Sequence, residues 1–355
     1  MDNEGHEKLN ILIVKLSAIG DVIHILPSLE ALRKLYPDAH ITWVIEEDSS
    51  DIIEGHPRLD RVIISRRKSW LKNLKRLREV RKTIDEMASF VATLRDRRYD
   101  LVVDFHGLLK SSLVVLLSGG RRKLGYDSMQ ELSGFFLSEK IYEDMNKHAV
   151  DRYLDLPRHL GADIEKPEFT IHIGEENRNR VDNLLKESEI SMEDSFVSVN
   201  PVAFWDTKLW ENNKFARLCD RITRELKMKI VFTGGRNRKT VERIRSFMKY
   251  PSADLAGRTT LRDLAYLYKL SDLLITTDSG PMHVSAAVGT PTVALFGPTD
   301  PARTGPYGEG HTVIRRGLPC SPCFLKKCET KRCMKEISVE DVFQAVADKV
   351  RKDLS

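Results

Sequence analysis

Short apolar, β-branched runs recur along the chain, separated by longer stretches in which apolar residues return every third or fourth position. Ile11 to Leu16, Ile41 to Ile45 and Leu101 to Phe105 are too short for helices and read as buried strands, with amphipathic helices between them. The same alternation returns with Phe196 to Val199, Lys229 to Phe232, Leu273 to Thr277 and Thr292 to Phe296. This pattern predicts an α/β fold with two doubly wound, Rossmann-like parallel sheets. Between the two sets, Glu175 to Asp194 is strongly charged and helical in period, which sets a boundary at Gly174 and divides the chain into domains 1–174 and 175–355. A length of 355 residues fits two cores better than one. Ligands bind such sheets beyond the carboxyl ends of their strands, so the expected site is a cleft that the two domains face. The pattern ends in a helix from Ser338 to Val350, N-capped by Ser338, with Val342, Phe343 and Val346 on one face.

The strand–turn–helix junctions carry the candidate chemistry. Strand Leu273 to Thr277 runs into Asp278-Ser279-Gly280-Pro281-Met282-His283 and then a small-residue helix. A helix N-terminus offers unpaired N–H groups and partial positive charge, which suits a diphosphate, with Gly280 allowing close approach and His283 adding a hydrogen bond. The plainer reading makes Asp278 or Ser279 a helix cap and His283 a core residue. Lys208, in a loop after strand Phe196 to Val199, would neutralise a departing diphosphate or simply be solvated. Thr233-Gly234-Gly235 is either a nucleotide-approach turn or an ordinary one. In the first half, Ser17-Ala18-Ile19-Gly20-Asp21 follows the first strand and leads into Val22-Ile23-His24. Asp21 there would act as a proton acceptor or as an N-terminal helix charge, and Pro27 predicts a kink or a late helix start.

Composition changes this picture little: 41% hydrophobic and 31% charged residues with a net charge of +5 describe an ordinary globular enzyme. The polar Met1 to Lys8 stretch and the short apolar run after it do not form a signal peptide, and no apolar stretch nears the roughly 20 residues a bilayer needs, so a cytoplasmic protein is expected. The charge is uneven, however. From Arg61 to Lys82 there are ten basic residues against one acid, Glu79, with Trp70, Leu74 and Leu77 on one helical face. That is a basic amphipathic segment suited to an anionic lipid surface, a polyanionic acceptor or nucleic acid, or a solvated charged helix. Cys320, Cys323, Cys328 and Cys333 have spacings suited to structural zinc or an iron–sulfur cluster, or to free thiols, while Cys219 reads as core.

Taken together, Ile13 to His24 and Asp278 to Gly297 resemble the ADP-heptose:lipopolysaccharide heptosyltransferases of glycosyltransferase family 9. Trp43 to Glu47, Asp104 to Ser111 and His148 to Arg152 are similar to the heptosyltransferase I branch. The resemblance implies a GT-B fold and metal-independent, inverting transfer of L-glycero-D-manno-heptose from ADP-heptose to Kdo of the lipid A-linked inner core. It needs no cofactor or nucleic acid, and it would take place on the cytoplasmic face of the inner membrane. By matched position, Asp21 would be the base. Lys208, Thr259, Asp278, Ser279, Gly280 and His283 would hold the donor, and Ser17, Gly20, His24, Arg66, Arg67 and Lys68 the acceptor. The chain departs from the pattern at Ala203 and Phe204, where the family has threonines, and at Gly235-Arg236-Asn237-Arg238, where it has a Glu. The alternatives are a family 9 transferase for another sugar or acceptor, such as heptosyltransferase II, and a non-catalytic lipopolysaccharide-binding module. A dinucleotide oxidoreductase would need a glycine fingerprint that Ser17-Ala18-Ile19-Gly20 does not supply.

Overall fold

The computed structural model describes residues 8–128, 134–235 and 238–352. The chain divides into two compact units, Met1–His172 and Ile173–Ser355.

The first unit contains strands β1 (Asn10–Val14), β2 (His40–Glu46), β3 (Arg61–Ser65), β4 (Leu101–Asp104), β5 (Arg122–Tyr126) and β6 (Glu139–Ile141). They form one parallel sheet in the order β3-β2-β1-β4-β5-β6. Its longer helices are α1 (Ile19–Leu35), α2 (Arg67–Lys75), α3 (Val80–Arg95), α4 (Leu109–Leu117) and α5 (Ala149–His159). Strands buried on both faces read as continuous apolar runs, and Ile11, Leu12, Ile13 and Val14 are fully buried. The chain reverses direction across the sheet between β1 and β4, which opens a crevice at their carboxyl ends.

The structure differs from two local expectations. α1 starts at Ile19 and runs through Pro27 without waiting for it. The basic segment is not one amphipathic helix but a strand, a helix and a turn, because Leu77 and Glu79 adopt left-handed backbone (φ 51° and 47°) and separate α2 from α3. Trp70 is consequently buried while Leu77 is 83% exposed.

The second unit has α6 (Glu175–Glu187), β7 (Phe196–Asn200), α7 (Asn212–Arg221), β8 (Lys229–Phe232), α8 (Lys239–Arg245), β9 (Ala253–Asp254) and α9 (Leu261–Leu270). It continues with β10 (Leu273–Thr277), α10 (Gly280–Ala287), β11 (Thr292–Phe296), β12 (Thr312–Arg315) and α11 (Val339–Lys352). The parallel sheet order β12-β11-β10-β7-β8-β9 repeats the topology of the first unit, with the switch point between β7 and β10. α11 is capped as the sequence predicts: Asp341 N–H donates to Ser338 Oγ (3.1 Å) and Ser338 N–H to the Asp341 carboxylate (3.0 Å). Val342, Phe343 and Val346 join the core of β7, β8, β10 and β11.

Candidate functional sites at the two switch points

In the first unit, β1 leads into Lys15-Leu16-Ser17 and then α1, whose third residue is Asp21. The Asp21 carboxylate reaches back so that Oδ2 accepts the Ala18 N–H at 3.2 Å, while Oδ1 accepts from the Tyr153 hydroxyl at 3.4 Å. Asp21 is therefore a helix-end charge, yet it remains half-buried rather than sealed. Below it, Lys15 is 3% exposed and donates to the Phe105 carbonyl (3.0 Å) and the Tyr153 hydroxyl (2.7 Å). Burial alone would lower the Lys15 pKa, but Asp21, Tyr153 and Asp104 overcome it and hold the ammonium above its ordinary value.

Asp104 ends β4 and closes a tight turn, accepting the His106 and Gly107 N–H groups (2.8 and 3.3 Å) and the Ser111 hydroxyl (2.9 Å). Gly107 has φ +66°, the backbone this turn needs. Burial raises the Asp104 pKa against these hydrogen bonds. Beside it, both ring nitrogens of His106 are buried and lack a hydrogen-bond partner among the described residues. Burial, then Lys15, Lys110 and Arg67, push this imidazole down to about 2, so it is neutral at physiological pH.

Arg66, Arg67 and Lys68 lie at the end of β3 and the start of α2. Buried Glu46 gathers Arg67 (2.8 Å), Lys68 (3.3 Å) and Lys110 (3.7 Å), and Lys110 also donates to Ser17 Oγ at 2.7 Å. Ser17 and the basic residues are thus brought to one place through Lys110, a residue the sequence did not single out. Gly20 lies in the first turn of α1, and His24, one turn on, is buried with its ring edge-on to His148 at 5.4 Å.

In the second unit, Asp278 follows β10 and Ser279 is the N-cap residue of α10, with Pro281 in the first turn. The Ser279 side chain makes no cap hydrogen bond. Asp278 is 5% exposed, and its Oδ2 pairs with Lys208 Nζ (2.6 Å) and accepts from Thr299 Oγ1 (2.5 Å). Ser279 Oγ accepts from Asn200 Nδ2 at 3.0 Å, tying β7 to the turn across the switch point. The first turn of α10 also carries Gly280 and buried His283. Thr259, on the loop after β9, has a buried hydroxyl without a partner among the described residues.

The loop bearing Lys208 is braced by the cysteine-rich segment. Thr207 Oγ1 donates to the Leu325 carbonyl (2.8 Å), Lys331 pairs with Asp206 (2.8 Å), and Lys208 and Lys326 lie 4.6 and 5.4 Å from the centre of the Trp205 ring. Phe204, one of the departures from the family pattern, is 97% exposed; Arg236 and Asn237 lie outside the described residues. The cysteines are free, and among the described residues no group of three or more His, Cys, Asp or Glu side chains is arranged to hold a metal. Cys328 is exposed, and the Lys331 N–H, with Thr330, lowers its thiol pKa.

Lys15, Glu46, Asp104, His106 and Lys110 fall within the segments that carry the family resemblance but were assigned no role there, and Tyr153 lies one residue beyond another such segment. A lysine inside an otherwise apolar strand run was the available signal for the first.

Residues 87–334 match the model of glycosyltransferase family 9 (heptosyltransferase). Lipopolysaccharide heptosyltransferase 1 of Pseudomonas aeruginosa is 29% identical over 90% of this chain and 87% of its own. Lipopolysaccharide heptosyltransferase 3 of Escherichia coli is 26% identical over 79% and 81%. The crystal structure of a family 9 glycosyl transferase from Veillonella parvula has a TM-score of 0.85 and 27% identity, covering 99% of this chain and 100% of its own.

Proposed function

The chain belongs to glycosyltransferase family 9, the heptosyltransferases, and from that premise we propose that it transfers L-glycero-D-manno-heptose from ADP-heptose to Kdo of lipid A-linked inner core. It is a glycosyltransferase with the GT-B fold, two six-stranded parallel sheets. The observation that carries the finer reading is the Lys208–Asp278 pair (2.6 Å) beside the N-terminus of α10.

In this reading the donor diphosphate lies at the first turn of α10, where the N–H groups of Ser279 and Gly280, His283 and the Lys208 ammonium oppose its charge. Asp278 acts chiefly through Lys208, which it holds in place with Thr299. Thr259 meets the adenosine end with its free hydroxyl. Asp21 is the general base. As an acceptor hydroxyl attacks C1, its O–H bond breaks towards Asp21, the new C1–O bond forms, and the bond to the diphosphate breaks with its electron pair leaving on ADP. Attack opposite the leaving group inverts the anomeric carbon through an oxocarbenium-like state. Ser17, Gly20, His24, Arg66, Arg67 and Lys68 form the acceptor side, a cationic region suited to acidic sugars. The Lys208 ammonium meets the leaving group, and the proposed transfer uses no metal.

The lipid acceptor also favours work at the cytoplasmic face of the inner membrane. Among the described residues no helix is long and apolar enough to cross a membrane. Support comes from an exposed surface on α2, α3 and the turn between them, where Lys72, Lys75, Arg76, Arg78 and Arg81 accompany Leu71, Leu77 and Ile84.

Incubation with ADP-heptose and Kdo-lipid A, following ADP release and product mass, tests the reading. A product one heptose heavier is expected. Turnover of a different nucleotide sugar, with none of ADP-heptose, would overturn it. The relative named heptosyltransferase 3 supports one alternative, transfer to a later core position, which the same assay detects as activity only on an already heptosylated acceptor.

A further inference from the structure

We propose that Tyr153 is a positioning residue that ties the Asp21 carboxylate to the buried Lys15 ammonium and so fixes the base before the acceptor arrives. The inference rests on the reading of Asp21 as general base. An ammonium out of water costs several kcal/mol unless charge and hydrogen bonds compensate. Lys15 is 3% exposed, and its two hydrogen-bond acceptors, the Phe105 carbonyl and the Tyr153 hydroxyl, are both neutral. The compensating charges are the carboxylates of Asp21 and Asp104.

The hydrogen bonds have one direction. Lys15 donates to the phenol oxygen at 2.7 Å, which leaves the phenol hydrogen free to point to Asp21 Oδ1 at 3.4 Å. Tyr153 is 5% exposed, and burial together with Asp21 raises its pKa, so it stays a protonated donor. Its ring is fixed by an edge contact with Phe105 at 6.1 Å, and Lys15 Nζ lies 4.5 Å from its centre. With Ala18 N–H on Oδ2, both carboxylate oxygens are held by the chain, and each keeps a lone pair for an incoming hydroxyl. No proton moves along the chain. It sets orientation, and misplacement of a catalytic group by about 1 Å costs up to a hundredfold in rate.

Tyr153→Phe keeps the ring and removes only the hydroxyl. We expect kcat to fall roughly tenfold to a hundredfold, with KM for donor and acceptor within about twofold of the parent. In an Asp21→Asn background, whose residual rate is read as ADP release at high enzyme concentration, the same change should add no further loss. A full kcat in Tyr153→Phe, or an equal loss in both backgrounds, overturns the proposal. Should Tyr153→Phe not fold, 3-fluorotyrosine at position 153 replaces it: its fluorine resonance should move on Asp21→Asn, and an unmoved resonance counts against the link. The two readings fail separately. Near-normal kcat in Asp21→Asn removes the base itself, whereas an inactive Asp21→Asn beside a fully active Tyr153→Phe removes only the positioning role.

Discussion

At the switch point of the first sheet Lys15 is 3% exposed while Asp21 stands half-buried above it; at that of the second sheet Asp278 is 5% exposed and the Lys208 side chain 16%. The strand order is the same in both units, and each places a lysine and an aspartate beside a strand–helix junction. The first unit sinks the cation and presents the anion; the second does the reverse. Topology supplies the location, and the depth of each partner decides the sign of the charge offered to a ligand. A presented carboxylate suits proton abstraction, and a presented ammonium suits a leaving diphosphate.

The largest expected effect breaks the first half of this contrast. Asp21→Ala should lower kcat by about a hundred- to ten-thousandfold while ADP affinity, measured by calorimetry, stays unchanged. An accompanying loss of ADP binding would move Asp21 from the base to the donor site. Next, Lys208→Ala should reduce kcat by roughly a hundred- to a thousandfold, and Asp278→Asn by only about tenfold, because the ammonium survives but loses its anchor. If Asp278→Asn were the worse of the two, Asp278 would be contacting the donor itself. Smaller again, Thr259→Val should raise KM for ADP-heptose by about three- to tenfold with kcat intact, since one neutral hydrogen bond is lost.

The smallest effect concerns acid stability of the first unit. His106 ordinarily titrates at 6.5 but in the fold lies at about 2, so between these values the unfolded chain binds a proton that the folded one does not. Its contribution to stability is therefore complete above pH 6.5 and is lost progressively as pH falls towards 2. Denaturant titrations from pH 7 to pH 4 should show a shallower loss for His106→Gln than for the parent. Equal slopes would mean that the imidazole is protonated in the folded state.

Much of this contrast was legible in the sequence, and the missing part has a physical cause. β-branched runs located both sheets because strands buried on two faces leave no polar alternation to confuse the reading. Asp21, Lys208 and Asp278 stood out because strand–turn–helix junctions are local. What was not legible depends on distant segments. Tyr153 lies on α5, 138 residues beyond its partner Lys15, and Lys15 was absorbed into a strand run. The basic segment counted only its own acid, Glu79, whereas Glu46, Glu47, Asp48 and Asp96 come from other elements to pair with Arg61, Arg66, Arg67 and Lys68. Pro27 suggested a kink or a late helix start, and α1, which begins at Ile19 and carries Pro27 in its interior, removes the second of these.

The brace beneath the Lys208 loop gives the enzyme a ready attachment point for an optical reporter. Cys328 is exposed, its thiol is more acidic than usual, and it accepts from the N–H of Lys331, whose ammonium is paired with Asp206 two residues from Lys208. A thiolate reacts faster than a thiol, so once exposed Cys320 and half-buried Cys323 are replaced by serine a maleimide dye should label Cys328 ahead of buried Cys219 and Cys333. Its fluorescence would test whether the Lys208 loop responds to ADP as the proposed function requires, without radioactive sugar or a coupled assay.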